Sequence, residues 1–140
     1  MEDHQKVIEA AQTIRSMIEQ ENKLLNDRIN WLVSIQGLLF AGLSFSWDKK
    51  DASGLVFSFT FLGIVVALSA YSSFPFYSQS LKNLIAWWDS YRPSDYDGPD
   101  VVGFRSAKSG VLWFLRPWRA LPFIFVTGWV FVLLFHLARL

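Results

Sequence analysis

The sequence predicts an all-α integral membrane protein with three transmembrane helices. A long N-terminal helix should run straight into the first span, and amphipathic cytoplasmic helices should lie between spans two and three. Three observations carry this reading. Hydrophobic side chains make up 52% of the 140 residues and charged ones 18%, yet no Asp, Glu, Lys or Arg falls within residues 29–47, 52–81 or 120–138. A soluble helix must turn one face to water and almost never runs so far without a charge. At about 1.5 Å per residue, residues 29–47 cover roughly 28 Å, close to the hydrocarbon thickness of a bilayer. A soluble enzyme, a secreted disulfide scaffold and a disordered tail do not fit this distribution.

The elements follow in order. Residues 1–28 contain neither Pro nor Gly. Val7, Ala11, Ile14, Ile18 and Leu25 form an apolar seam that fits a 3.5-residue repeat as well as a 3.6-residue one. Glu21 and Arg28 interrupt that seam. Either the segment is an oligomeric stalk, or it packs its stripe on its own chain or on the membrane. Span one (29–47) continues without a helix breaker, bracketed by Trp31 and Trp47 as interfacial anchors. A single helix from about Asp3 to Trp47 is expected, then a polar outer turn at 48–54.

Span two occupies 55–77, with a kink or stop at Pro75, which lacks an amide donor and strains the preceding turn. Leu81, Leu84, Ile85, Trp88 and Tyr91 make a one-sided apolar stripe, the pattern of an interfacial helix. Residues 92–103 (RPSDYDGPDVVG) are loop by their Pro, Gly and Asp content. Span three covers 120–138, with Pro117 suited to its first turn.

Bulk charge is uninformative, at a formal +1, but its placement gives an orientation. Ten of the thirteen basic residues fall in the N-terminal segment and in 78–120, which three spans place on one side. The positive-inside rule makes that side cytoplasmic and the C-terminus external. With no cysteine and no small-residue cleavage site after the first apolar stretch, a bacterial inner-membrane protein without a cleaved signal peptide is expected.

No catalytic residue, metal or cofactor is expected. His4 and His136 lie at opposite ends of the chain, and no HExxH, GxSxG or P-loop pattern occurs. The run Asp95-Tyr96-Asp97-Gly98-Pro99-Asp100 lacks the spacing and terminal Glu of a calcium loop and reads as solvated turn. No carboxylate lies inside a span, which argues against proton-coupled transport.

The informative pattern is on the first helix. Asp27, Asn30, Ser34, Gly37, Ala41, Ser44 and Asp48 recur at helical spacing and line one face of the span, continued backward by Lys23, Gln20 and Ser16. Small and hydroxylated residues in a bilayer either permit close helix packing or line a hydrated path. The first alternative is a packing face against spans two and three. The second is a pore wall in an oligomer, with rings of Asp27 and Asp48 at its mouths favouring cations.

Span two has its own small stripe, Thr60, Gly63, Ala67 and Ala70, able to receive span one. Gln36 lies off the small-residue face, and burying its amide unpaired would cost a few kcal/mol. It is expected to hydrogen-bond another helix. Arg105, Lys108, Arg116 and Arg119, interleaved with Trp113 and Trp118, are candidates for an anionic ligand such as a lipid headgroup or a nucleotide. Their other reading is the basic anchor of span three.

The stretch 21–47 (ENKLLNDRINWLVSIQGLLFAGLSFSW) resembles small bacterial membrane proteins that enter their first span with Leu-Asn-x-Arg-Ile-x-Trp-Leu. Here those positions are Leu25, Asn26, Arg28, Ile29, Trp31 and Leu32. Covering about a fifth of the chain, it is similar to the membrane component of Hailong-type anti-phage defence systems. The resemblance implies an oligomeric channel, restrained by DNA oligomers from a partner nucleotidyltransferase, that depolarises an infected cell. It assigns no binding residues. The expected function is a homo-oligomeric, cation-conducting channel gated by a cytoplasmic ligand or partner. The alternative is a non-conducting membrane anchor that recruits a soluble partner.

Overall fold

The computed structural model describes residues 2–47, 49, 52–102 and 117–139. Three helices account for nearly all of them: α1 (Glu2–Ser46), α2 (Ala52–Tyr91) and α3 (Pro117–Leu137). At 45 residues α1 is about 67 Å long, more than twice the hydrocarbon core, so roughly half of it must project beyond the bilayer. The 40 residues of α2 run back along it, and α3 packs mainly on α2. All three helices contain windows long and apolar enough to cross a membrane, with mean hydropathy of 1.4, 2.0 and 2.1. Three such helices among the described residues make this a multi-pass membrane protein.

The outer surface agrees with that reading. Leu38, Phe45, Phe61, Phe131 and Leu134 are all at least 60% exposed. In water such a belt would be a large aggregation-prone patch, whereas in lipid it meets the solvent it was selected for.

The projecting half is a helical hairpin closed by its own loop. Val7, Ala11 and Ile14 of α1 are buried against Trp88 of α2 and Val101 of the following segment, with Ile18, Leu84 and Tyr96 packed around them. The N-terminal seam is therefore occupied within the chain. Of the two readings of residues 1–28, self-packing is the one the structure adopts; an oligomeric stalk would have to use another face.

The interruption of that seam at Glu21 has a physical explanation. At Glu21 the carboxylate accepts a hydrogen bond from the Ser80 hydroxyl at 2.9 Å, and beside it the Tyr77 hydroxyl donates to Asn22 at 2.6 Å. Polar groups on α1 thus meet polar groups on α2 where the hairpin leaves its apolar contact.

Of the kink or stop expected at Pro75, the stop is absent: α2 passes through it to Tyr91. Proline removes one intrahelical hydrogen bond but does not prevent packing on either side. Phe74 just before it and Trp88 beyond it are both buried, and the Ser72 and Ser73 hydroxyls donate to the Ser69 and Ala70 carbonyls in the preceding turn. The stripe containing Leu84 and Trp88 correspondingly faces α1 rather than lying on the membrane surface.

Residues 92–102 do form the expected loop, closed onto α1. The Arg15 guanidinium donates to the Pro99 carbonyl, and the Asp100 carboxylate accepts from the Val101 amide at 2.8 Å. The Asp-rich run is here a turn that seats Val101 and Tyr96 on the hairpin core. Span three begins at Pro117.

Candidate functional site

Within the membrane, α1 has two unlike faces. Leu25, Leu32, Gln36, Leu39, Leu43 and Ser46 are buried. Leu39 and Leu43 share a core with Val56 and Trp129, flanked by Phe40, Phe59 and Val132. The centre of this packing is polar. The Gln36 side chain, fully buried, donates from Nε2 to the Gly63 carbonyl at 2.8 Å and accepts at Oε1 from the Trp129 indole at 2.6 Å. One amide thereby ties α1 to both other helices, and its expected interhelical hydrogen bond is present twice.

Glycine makes the clamp possible. A Cβ on Gly63 would lie 2.2 Å from the Trp129 ring, so only hydrogen fits there. The indole also stacks on Phe40, with centroids 4.2 Å apart and planes within 5°. At Gly63 the small stripe of span two thus receives the Trp129 ring of α3, while Gln36 of α1 reaches only its carbonyl; Thr60, Gly63 and Ala67 are all buried.

Asp27, Asn30, Ser34, Gly37, Ala41 and Ser44 are all exposed. With 3.6 residues per turn, their mean direction lies roughly 160° around α1 from the buried set. A Cβ on Gly37 would meet nothing within 4 Å. Packing against spans two and three is therefore not what these residues do; that face points away from the rest of the described residues. Ser16, Gln20 and Lys23 continue it along the projecting half and are exposed too. At the N-terminal end of the span, Asp27, Asn30, Trp31 and Ser34 line a shallow recess of about 190 Å³. Asp48 lies outside the described residues.

Of the basic-aromatic candidates, Arg105, Lys108, Trp113 and Arg116 also lie outside the described residues. Trp118 and Arg119 are half-buried in the first turn of α3, and the Trp118 ring sits edge-on to Tyr77 at 6.3 Å. This joins the start of span three to the region where α1 and α2 leave the membrane. At the opposite end, His136 of α3 lies 3.2 Å from the Ser53 hydroxyl and edge-on to Trp47 and Phe57. It fastens the end of α3 to the turn between α1 and α2. Among the described residues no three His, Asp or Glu side chains converge.

Sequence reasoning singled out Gln36 and an interhelical hydrogen bond but named neither of its partners. An indole in mid-span needs an acceptor, and Gln36 was the one large amide within span one, so the pairing had a readable signal. No protein family, curated protein or solved structure matches the chain.

Proposed function

We propose that the chain is the subunit of a homo-oligomeric membrane channel that conducts cations. The observation that carries this reading is the outward direction of the polar face on α1: Asp27, Asn30, Ser34, Gly37, Ala41 and Ser44, exposed and opposite the intramolecular packing. Polar groups facing hydrocarbon are costly. Further copies arranged around an axis would remove them from lipid and bring them to a common water-filled path. Three helices enclose no such path alone, so assembly is part of the proposal.

In that assembly Asp27 forms a ring at the entrance on the N-terminal side, where carboxylates concentrate cations. Asp48, two residues beyond the last residue of α1 in the sequence, would supply the ring at the other mouth. The N-terminal side is cytoplasmic on the charge asymmetry, in a bacterial inner membrane. The hairpin projecting there, together with the basic 104–119 segment, is where a ligand or partner would act on the gate. The resemblance to Hailong-type membrane components supports a role in anti-phage defence, with a DNA-oligomer regulator from a partner nucleotidyltransferase.

The test is conduction. Purified protein in liposomes should carry potassium under a gradient, and Asp27→Asn should move the reversal potential toward that of a non-selective pore. An anchor would leave membrane potential intact, on induced expression in cells as well as in liposomes.

A further inference from the structure

A second feature lies on a different side of α1. Where α1 and α2 enter the membrane they separate enough to leave a groove of about 460 Å³, lined by Arg28, Trp31, Ile35, Val66, Ser69 and Ser73 among others. The register set by the Gln36–Gly63 and Glu21–Ser80 contacts places Arg28 and Ser73 at the headgroup end and Ile35 with Val66 at the deep end. Arg28 is exposed, immediately precedes the charge-free stretch, and forms no ion pair among the described residues. Trp31, next to it, is 69% exposed.

We infer that this groove is a binding site for an anionic phospholipid in the leaflet nearest the N-terminal hairpin. The gradient from cation through hydroxyls to hydrocarbon repeats the order of groups in such a lipid. The Arg28 guanidinium takes the phosphate in a bidentate, charge-assisted contact. Hydroxyls of Ser69 and Ser73 line the glycerol level, and Ile35 and Val66 take the first methylenes. Trp31 closes the edge at the interface, where an indole is favoured. Among the described residues no acidic side chain lines the groove to attract the ammonium of a zwitterionic headgroup, so the site selects for net negative charge. The inference needs only membrane insertion and holds whether or not the chain conducts.

Native mass spectrometry tests it on full-length protein equilibrated with equimolar phosphatidylglycerol and phosphatidylcholine. The wild type should retain phosphatidylglycerol several-fold over phosphatidylcholine, whose ammonium offsets part of the attraction that the phosphate of either lipid has for Arg28. Arg28→Gln should bring the ratio near one, Arg28→Lys should keep part of the preference, and Lys23→Gln, an equal loss of charge on another face, should leave it intact. Circular dichroism of each variant should show unchanged helicity. An unchanged ratio in Arg28→Gln, or an equal loss in Lys23→Gln, would overturn the site. So would displacement of the lipid by millimolar inorganic phosphate, which would make it a soluble-anion site. The chain has no cysteine, so Ser69→Cys can also be read cleanly: a disulfide-linked dimer would show that a second copy fills the groove.

Discussion

Replacing Gln36 with leucine keeps the side-chain volume close to that of the original and removes both of its hydrogen bonds. The two losses differ. The Gly63 carbonyl stays within a helix, where a backbone amide can still serve it. The Trp129 indole, buried completely, is left with no acceptor. An interhelical hydrogen bond in a membrane protein is worth about 0.6 kcal/mol on average and up to about 1.7. An orphaned buried donor costs about 1–3 kcal/mol. Gln36→Leu should therefore destabilise the bundle by about 2 kcal/mol. Trp129→Phe leaves the Gln36 carbonyl oxygen unpaired and vacates part of a packed site, for a similar or larger loss.

The double variant has neither orphan. Its cost should fall short of the sum of the two singles by about 1 kcal/mol or more, the signature of a coupled pair. Unfolding in mixed micelles of increasing SDS fraction, followed by helicity, supplies all four corners of the cycle. Strict additivity, or a Gln36→Leu protein as stable as the wild type, would refute the clamp.

Gly63→Val should be among the most damaging single changes in the membrane, because the indole must leave its place between Phe40 and α2; the same unfolding assay should register a loss of at least about 2 kcal/mol. Gly37→Leu should leave that unfolding curve unchanged, since the position opens onto empty space, yet reduce potassium flux in liposomes. Trp88→Ala removes the centre of the hairpin core and should cost about 3–5 kcal/mol locally. Its effect should appear as faster amide exchange in residues 5–20 while the exchange of span one is preserved.

The distribution of charge was enough to read three spans and the uninterrupted first helix, because lipid imposes length and apolarity on each segment independently of the others. It could not settle how one segment meets another. The stripe Val7, Ala11, Ile14 is compatible with any apolar partner, and only the antiparallel return of α2 identifies that partner as Trp88. The stop offered as one alternative at Pro75 did not occur for the same reason: local propensity gives the cost of a proline, but the α1 residues that bury Trp88 beyond it lie far away in sequence. The small-residue face was legible as a face, and its direction became known only once Gln36 and the leucines beside it were seen to take the opposite side.

That direction is the foundation of the channel reading, and cysteine accessibility tests it directly. Single cysteines at positions 30, 34, 37, 41 and 44, and controls at Phe61 and Phe131 on the exposed faces of α2 and α3, can be placed in the naturally cysteine-free chain. Each is then exposed to a charged, membrane-impermeant thiol reagent during current recording. The account predicts that modification blocks current at the five stripe positions and leaves it unaltered at 61 and 131. Equal block at both sets, or an absence of any current to block, would contradict it.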